Sequence, residues 1–199
     1  MVAAEPSGTP PLPASALVLV SGPSRGGKSR WAEHLADASG HPVLYLATGP
    51  APQGDNGWAE RVDLHRRRRP PSWCCQEVGS DLEAFLQGLR RLDHPQHGHL
   101  LLIDSLGSWL AWHLQDDAER WRQRCDGLTD LLVGHAGPVV LVVEETGWGV
   151  VPPTAIGGLF RDRLGALHQQ LMRHCGAAWL VVAGRALDLF ALAHPVPSP

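Results

Sequence analysis

The sequence predicts an α/β fold in which helices cover both faces of a mostly parallel sheet. Strand-like and helix-like segments alternate along the chain. The strand-like segments, such as Leu100–Ile103 and Val139–Val143, are apolar throughout rather than at every second residue, which is typical of strands buried on both faces. Ligands of such folds bind at the carboxyl ends of the strands. Four notable loops lie at those ends, beginning at Ser21, Thr48, Asp104 and Glu144.

Each predicted element follows from apolar runs, helical periodicity or turn residues. The predicted strands are Ala16–Val20, Val43–Ala47, a short segment within Trp73–Val78, Leu100–Ile103, Val139–Val143 and a final strand at Trp179–Ala183. Cys74 and Cys75 are expected in a buried strand. The predicted helices cover Lys28–Ala38, Trp58–Arg69, a segment with the apolar face Leu82, Phe85, Leu86 and Leu89, a stretch up to about Val133 broken near Gln115–Asp117, and a segment with the stripe Phe160, Leu164, Leu167 and Leu171. Ser80 and Glu83 have the spacing of a capping box at the start of one helix.

Length and composition indicate one compact domain. We expect residues 1–15 to be a flexible Pro/Ala-rich leader, 16–185 to be the single domain and 186–199 to be a C-terminal tail. A net charge of −3 argues against bulk electrostatic binding to nucleic acid, and the apolar runs are too short to span a membrane. No secretory signal is recognisable, and the four cysteines have neither disulfide nor zinc spacing, so a cytoplasmic protein is expected.

Gly-Pro-Ser-Arg-Gly-Gly-Lys-Ser at Gly22–Ser29 fits the phosphate-binding loop pattern G-x-x-x-x-G-K-[ST] between a predicted strand and a predicted helix. In this pattern Lys28 reaches the β- and γ-phosphate oxygens and the Ser29 hydroxyl binds Mg²⁺. Lys28 is also the only lysine among 17 basic residues, at the one position that needs a compact ammonium. The sequence therefore predicts a P-loop NTPase-like, RecA-like fold. Its expected phosphate contacts are Gly22, Pro23, Ser24, Arg25, Gly26, Gly27, Lys28 and Ser29.

Two acidic positions follow buried strands. Asp104 stands where a Mg²⁺-binding carboxylate is expected, with the Ser29 hydroxyl as the other protein ligand. Glu145 follows the next strand, where it is either a catalytic or Mg²⁺-binding carboxylate or a solvated loop carboxylate.

Arg61, His65 and the run Arg66–Arg69 form the second unusual feature. On a helix, Arg61 and His65 lie one turn apart on the same face. An isolated run of arginines is usually a solvated surface, but beside a triphosphate site arginines can neutralise phosphate oxygens. Cationic neighbours also favour a neutral imidazole, which can act as a nucleophile.

These segments together resemble the bifunctional adenosylcobinamide kinase/adenosylcobinamide-phosphate guanylyltransferase family of cobalamin biosynthesis. The resemblance runs from about Ala16 to Gly184. It rests on Leu19–Arg30, Val43–Thr48, Arg61–His65 with Arg69, Pro70, Trp73 and Glu77, and on Gly147–Pro152, Phe160–Asp162 and Trp179–Val182.

The resemblance implies two reactions and a set of site residues. ATP or GTP phosphorylates the aminopropanol hydroxyl of adenosylcobinamide, and GMP then passes from GTP through a guanylylated histidine, here His65, to give adenosylcobinamide-GDP. It also implies a homotrimer, whereas the expectation of no nucleic-acid partner comes from the net charge. The implied GTP contacts beyond the phosphate loop are Thr48, Gly49, Pro50, Arg66, Arg67, Arg68, Arg69, Glu77 and Asp104.

The sequence departs from the family pattern at three places. Glu144 and His168 stand where the family commonly has Asn, and 154–158 lack its usual acidic-Asn pair and Arg.

Two other functions fit a phosphate loop: a single-activity small-molecule kinase, in which His65 only binds phosphate, and a non-catalytic nucleotide-binding switch.

Overall fold

A computed structural model of the chain describes residues 12, 17–50, 60, 62–63, 66–148 and 154–197. Its centre is a seven-stranded sheet in the order β3-β2-β4-β5-β1-β6-β7. The strands are β1 (Leu17–Gly22), β2 (Val43–Ala47), β3 (Cys74–Glu77), β4 (Leu100–Asp104), β5 (Val139–Glu144), β6 (Cys175–Val182) and β7 (Arg185–Asp188). All neighbouring pairs are parallel except β6 and β7, so the predicted mostly parallel α/β fold is confirmed.

Six helices of four residues or more have bounds within the described part of the chain. They are α1 (Lys28–Ala38), α2 (Leu82–Leu89), α3 (Leu106–Trp112), α4 (Ala118–Val133), α5 (Ala155–Met172) and α6 (Leu189–Leu192). Residues 60, 62–63 and 66–68 are helical as well. The bounds predicted for α1 and β2 are those observed, and the predicted break before α4 is present.

The core lies on both faces of the sheet, as continuously apolar strands require. Along β1, Leu17 and Leu19 pack with helices α2 to α5, whereas Val18 and Val20 pack on the opposite face with α1. Full burial of successive residues on both faces removes a large apolar area from water and stabilises the sheet. The two-sided core therefore explains why no strand of the sheet's centre alternates in polarity.

Three predictions about single elements were wrong. Cys74 and Cys75 lie in a strand, but β3 is at the sheet edge and both side chains are exposed. The capping box does not form, because Gly79–Asp81 is a 3₁₀ turn and Glu83 instead accepts a hydrogen bond from Trp109 Nε1 at 2.9 Å.

The final strand was also misjudged. It begins at Cys175 rather than Trp179, and β7 follows it through a tight turn in antiparallel pairing. The expected end of the domain at residue 185 falls at the first residue of β7.

The three tryptophans of α3 and α4 have different environments. Trp109 and Trp121 are buried in the core, whereas Trp112 is 48% exposed and donates a hydrogen bond to the Thr48 carbonyl.

Among the helices of the described residues, none has both the length and the apolar character needed to cross a bilayer.

Candidate nucleotide-binding and transfer site

The phosphate loop connects β1 to α1 and is pressed against β6. Gly22 and Gly27 have φ values of 147° and 111°, which side chains rarely adopt. A Cβ at Gly22 would overlap the Val181 carbonyl oxygen, and a Cβ at Gly26 would lie 2.5 Å from the same atom. Glycine is therefore required both by the turn and by the main chain of β6, although the motif itself asks for no glycine at position 26.

Lys28 begins α1 and is only 6% exposed. Its Nζ donates a hydrogen bond to the Pro23 carbonyl oxygen at 2.9 Å, across the loop. The ammonium is thus held where the loop encloses a ligand, and the first turn of α1 presents main-chain N–H groups toward the same place. Ser29 is the next residue of this turn.

A cleft of about 760 Å³ opens beside Lys28, at the carboxyl ends of β2, β4 and β5. The opposite wall is formed by residues 69–77, including Trp73 and Cys75. The structure thus brings together several of the predicted residues from five separate parts of the chain. Those that line the cleft are Ser24, Lys28, Gly49, Pro50, Arg66, Arg69, Glu77 and Asp104.

Asp104 ends β4 inside this cleft. Its Oδ2 accepts a hydrogen bond from the Tyr45 hydroxyl at 2.9 Å. Burial, followed by the charge of Asp104, raises the pKa of Tyr45 well above its usual value, so this phenol remains a donor. Tyr45 therefore holds the Asp104 carboxylate from the side of β2.

Glu144, at the end of β5, is a cleft residue for which sequence reasoning found no role. Its carboxylate accepts hydrogen bonds from the Ser105 hydroxyl and from the Gly107 main-chain N–H, the latter at 2.9 Å. Burial raises its pKa, and the charge of Asp104 adds to this effect. An acidic residue that directly ends a fully apolar strand was the signal available in the sequence.

Thr48 lies at the end of β2 with its side chain fully buried. Its Oγ1 donates to the Ser105 carbonyl oxygen at 2.6 Å and accepts from the Ser105 N–H at 2.8 Å. These bonds join the ends of β2 and β4. They place Gly49 and Pro50, rather than the threonine side chain, at the cleft.

All four arginines of the run Arg66–Arg69 have protein partners. Arg66 pairs with Glu77 and Arg67 with Asp63, both in exposed positions. Arg68 forms two hydrogen bonds with Glu33 of α1, and the Arg69 guanidinium lies 3.4 Å from the centre of the Tyr45 ring. Arg66 and Arg69 line the cleft, whereas Arg67 and Arg68 do not. His65 and Arg61 lie outside the described residues.

Glu145 approaches the base of the phosphate loop without lining the cleft. Its main-chain N–H donates to the Gly22 carbonyl at 2.9 Å. The Nδ1 of His168 lies 3.2 Å from the Glu145 carboxylate. His168 and Glu144 both depart from the family pattern. His168 is therefore in contact with Glu145, the residue that directly follows Glu144.

Comparisons with known proteins show the family of this chain. The sequence matches the family described as "Cobinamide kinase / cobinamide phosphate guanyltransferase" over residues 18–189. It is 37% identical over 172 residues to the bifunctional adenosylcobalamin biosynthesis protein CobP of Pseudomonas aeruginosa, covering 86% of this chain and 95% of that protein. It is 31% identical over 182 residues to the corresponding protein CobU of Salmonella typhimurium, covering 84% and 96%.

A solved structure from Pyrococcus horikoshii OT3 has the same fold. It superposes with a TM-score of 0.57 over 94% of each chain at 7% identity, a likeness of fold alone. The family model carries the assignment further, since it matches residues 18–189, a range that includes the phosphate loop. The chain therefore belongs to the cobinamide kinase / cobinamide phosphate guanyltransferase family.

Proposed function

We propose that this protein phosphorylates adenosylcobinamide with ATP or GTP and then transfers GMP from GTP to the product, giving adenosylcobinamide-GDP. The observation that carries the proposal is the cleft itself. One wall holds the phosphate loop with Lys28, and the other holds arginines that directly follow His65 in the sequence. Family membership supplies the substrate class.

In the first reaction, the aminopropanol hydroxyl oxygen attacks the γ-phosphorus of the triphosphate. The bond from the γ-phosphorus to the β–γ bridging oxygen breaks, and the hydroxyl loses its proton. Lys28 and the N–H groups at the start of α1 stabilise the negative charge that shifts toward the leaving diphosphate. This chemistry needs the phosphate loop and does not need His65.

In the second reaction, a ring nitrogen of His65 attacks the α-phosphorus of GTP and pyrophosphate leaves. The phosphate oxygen of adenosylcobinamide phosphate then attacks the same phosphorus, and the phosphorus–nitrogen bond breaks. A covalent intermediate divides one difficult transfer into two easier steps. Arg66 and Arg69, which line the cleft, neutralise phosphate oxygens during both steps.

Mg²⁺ is part of the proposal. The described residues contain no cluster of three or more His, Cys, Asp or Glu side chains that could bind a metal alone. Magnesium in nucleotide sites, however, uses few protein oxygens together with phosphates and water. The Ser29 hydroxyl and the Asp104 carboxylate, which lines the cleft, fit this pattern. Bound there, Mg²⁺ would offset the charge of the phosphates.

Labelled nucleotide tests the two reactions separately. Protein incubated with α-labelled GTP and Mg²⁺ should retain an acid-labile, base-stable label after denaturation, and His65→Ala should retain none. Label from γ-labelled ATP or GTP should appear on adenosylcobinamide and be lost in Lys28→Ala. If folded wild-type protein phosphorylates adenosylcobinamide but never takes up α-label, it is a single-activity kinase. If neither label is transferred, the enzymatic proposal is wrong.

Assembly and location complete the proposal. We expect a homotrimer on the basis of the family resemblance. We expect it to work in the cytoplasm because the four cysteines do not have the spacing of a disulfide framework. A light-scattering mass equal to three chains would support the trimer. Recovery with the membrane fraction after cell lysis would contradict the cytoplasmic location.

A further inference from the structure

The ion pair between Arg68 and Glu33 is unusual within the arginine run. Arg68 Nε and Nη2 each donate to a separate Glu33 oxygen at 3.1 Å, a two-pronged geometry that fixes both side chains. The two side chains are 27% and 12% exposed. The neighbouring pair Arg67–Asp63 is 77% and 55% exposed, so solvent weakens it far more.

The positions of the two partners give this pair a mechanical role. Glu33 lies in α1 four residues after Ser29, and therefore on the same face of the helix that begins at the phosphate loop. Arg68 lies three residues after His65 in the sequence. The pair thus links the helix that follows the phosphate loop to residues 66–69, which come directly after the proposed nucleophile in the sequence.

A second contact holds the same segment. The Arg69 guanidinium covers the Tyr45 ring, and Tyr45 in turn donates to Asp104. Two consecutive arginines are therefore attached to α1 and to β2. Turning Arg68 toward a phosphate would break both bonds to Glu33 and leave that shielded carboxylate without this partner, which is costly.

We propose that Glu33 is a positioning residue, which holds Arg68, and with it residues 66–69, at a fixed place relative to the phosphate loop. In this role Arg68 is an anchor and does not bind GTP phosphate, unlike the expectation from the family resemblance. The inference rests on the proposed function, because its effect is on guanylylation of His65.

The test is a double-mutant cycle of Glu33→Gln, Arg68→Gln and the double variant. Single-turnover labelling with α-labelled GTP should slow at saturation by on the order of 10- to 100-fold in each single variant, because misplacing a reacting group by about 1 Å has such an effect. The GTP concentration for half-maximal rate should stay within about twofold, since no phosphate contact is lost. The double variant should be no slower than either single one.

Asp63→Asn is the matched control, because it removes a charge from the exposed pair in the same segment. Its labelling rate should remain within about twofold of wild type. A large rise in the half-saturating GTP concentration in Arg68→Gln alone would identify Arg68 as a phosphate ligand and overturn the proposal. Multiplicative losses in the double variant would also overturn it, since the two residues would then act independently.

Amide hydrogen exchange provides a readout that needs no activity. The main-chain amides of residues 66–69 should exchange faster in Glu33→Gln than in Asp63→Asn or wild type, because the anchor is lost. Unchanged exchange would refute the anchoring role. If wild-type protein takes up no label at all, the proposed guanylyltransferase fails, while the exchange result still decides whether Glu33 holds this segment.

Discussion

Glu144 is a buried acid whose ionised form lowers the stability of the fold. Its folded-state pKa lies above the ordinary 4.5. Burial is the largest cause of this rise, and the hydrogen bond from Ser105 offsets only part of it. The protonated form therefore favours the folded state. That stabilisation is complete below about pH 4.5 and is lost as the pH rises through the raised pKa. At neutral pH the ionised carboxylate weakens the fold.

We predict that Glu144→Gln melts at a higher temperature than wild type at pH 8, because glutamine resembles the protonated acid in shape without its charge. Gln can still accept the Gly107 N–H and donate to Ser105. The difference should disappear at pH 4, where wild-type Glu144 is largely protonated. Thermal unfolding at the two pH values measures this. A variant that melts lower at pH 8 would contradict it.

Gly26 gives a second prediction at the residue scale. Gly26→Ala places a Cβ 2.5 Å from the Val181 carbonyl oxygen, so the loop or β6 must shift. We expect a loss of about 1–3 kcal/mol in unfolding free energy and weaker nucleotide binding. Gly127→Ala is the control, since Gly127 lies inside α4 with nothing within 4 Å of its Cβ position.

The control should behave in the opposite way. Gly127→Ala should gain about 1 kcal/mol, because alanine favours a helix interior, and should bind nucleotide normally. Urea titrations and nucleotide binding curves measure both variants. An unfolding free energy and a nucleotide affinity of Gly26→Ala equal to those of wild type would contradict the prediction. The close approach of β6 to the loop would then not require glycine.

At the scale of elements, the caps of two helices differ in a way that can be measured. Asp117 caps α4 by accepting a hydrogen bond from the Arg120 N–H at 2.8 Å. The predicted cap of α2 at Ser80 is absent, and that hydroxyl bonds the exposed Asp81 carboxylate instead. We predict that Asp117→Ala loses about 1 kcal/mol of stability. Ser80→Ala should stay within about 0.5 kcal/mol of wild type.

Chemical denaturation of these two variants and of Asp117→Asn completes the comparison. Asparagine caps helices about as well as aspartate, so Asp117→Asn should retain most of the stability. An equal loss in Ser80→Ala and Asp117→Ala would mean that the cap at Asp117 contributes nothing specific.

Some elements could be predicted because their own residues determine them, whereas others depend on contacts with distant parts of the chain. Strands β1, β2, β4 and β5 are buried on both faces, so each is a continuous apolar run. Edge strand β7, Arg185–Asp188, is half exposed and is held by pairing with β6, which no local pattern reveals. The capping box failed because Glu83 finds stronger partners in Trp109 and Arg124, residues distant in sequence.

The same distinction applies to the site. The phosphate loop was predictable because its glycines, lysine and serine are contiguous. The role of Glu144 was not, since it depends on β4 and β5 being neighbours and on Gly107 leaving room for the carboxylate. The partners of Arg68 and Arg69 likewise lie on α1 and β2, far away along the chain. Whether His65 faces the cleft remains a prediction.

At the scale of the whole molecule, the strand order explains why these parts meet. Strand β1, which carries the phosphate loop, lies between β5 and β6, and β4 is the next strand beyond β5. The ends of β4 and β5 therefore bring Asp104 and Glu144 beside Lys28. Because the loop is attached to an interior strand of a two-sided core, nucleotide binding should stabilise the whole fold.

We predict that GTP with Mg²⁺ at 100 times its dissociation constant stabilises the protein by about 2.7 kcal/mol. For a domain of this size, this corresponds to a rise of roughly 5 to 11 °C in melting temperature. Lys28→Ala should lose most of the shift, because the ammonium held at 2.9 Å from the Pro23 carbonyl is the buried cation of the loop. Gly127→Ala should keep the full shift. A shift in Lys28→Ala equal to that of wild type would show that the triphosphate binds elsewhere, since binding to the folded state alone raises the melting temperature.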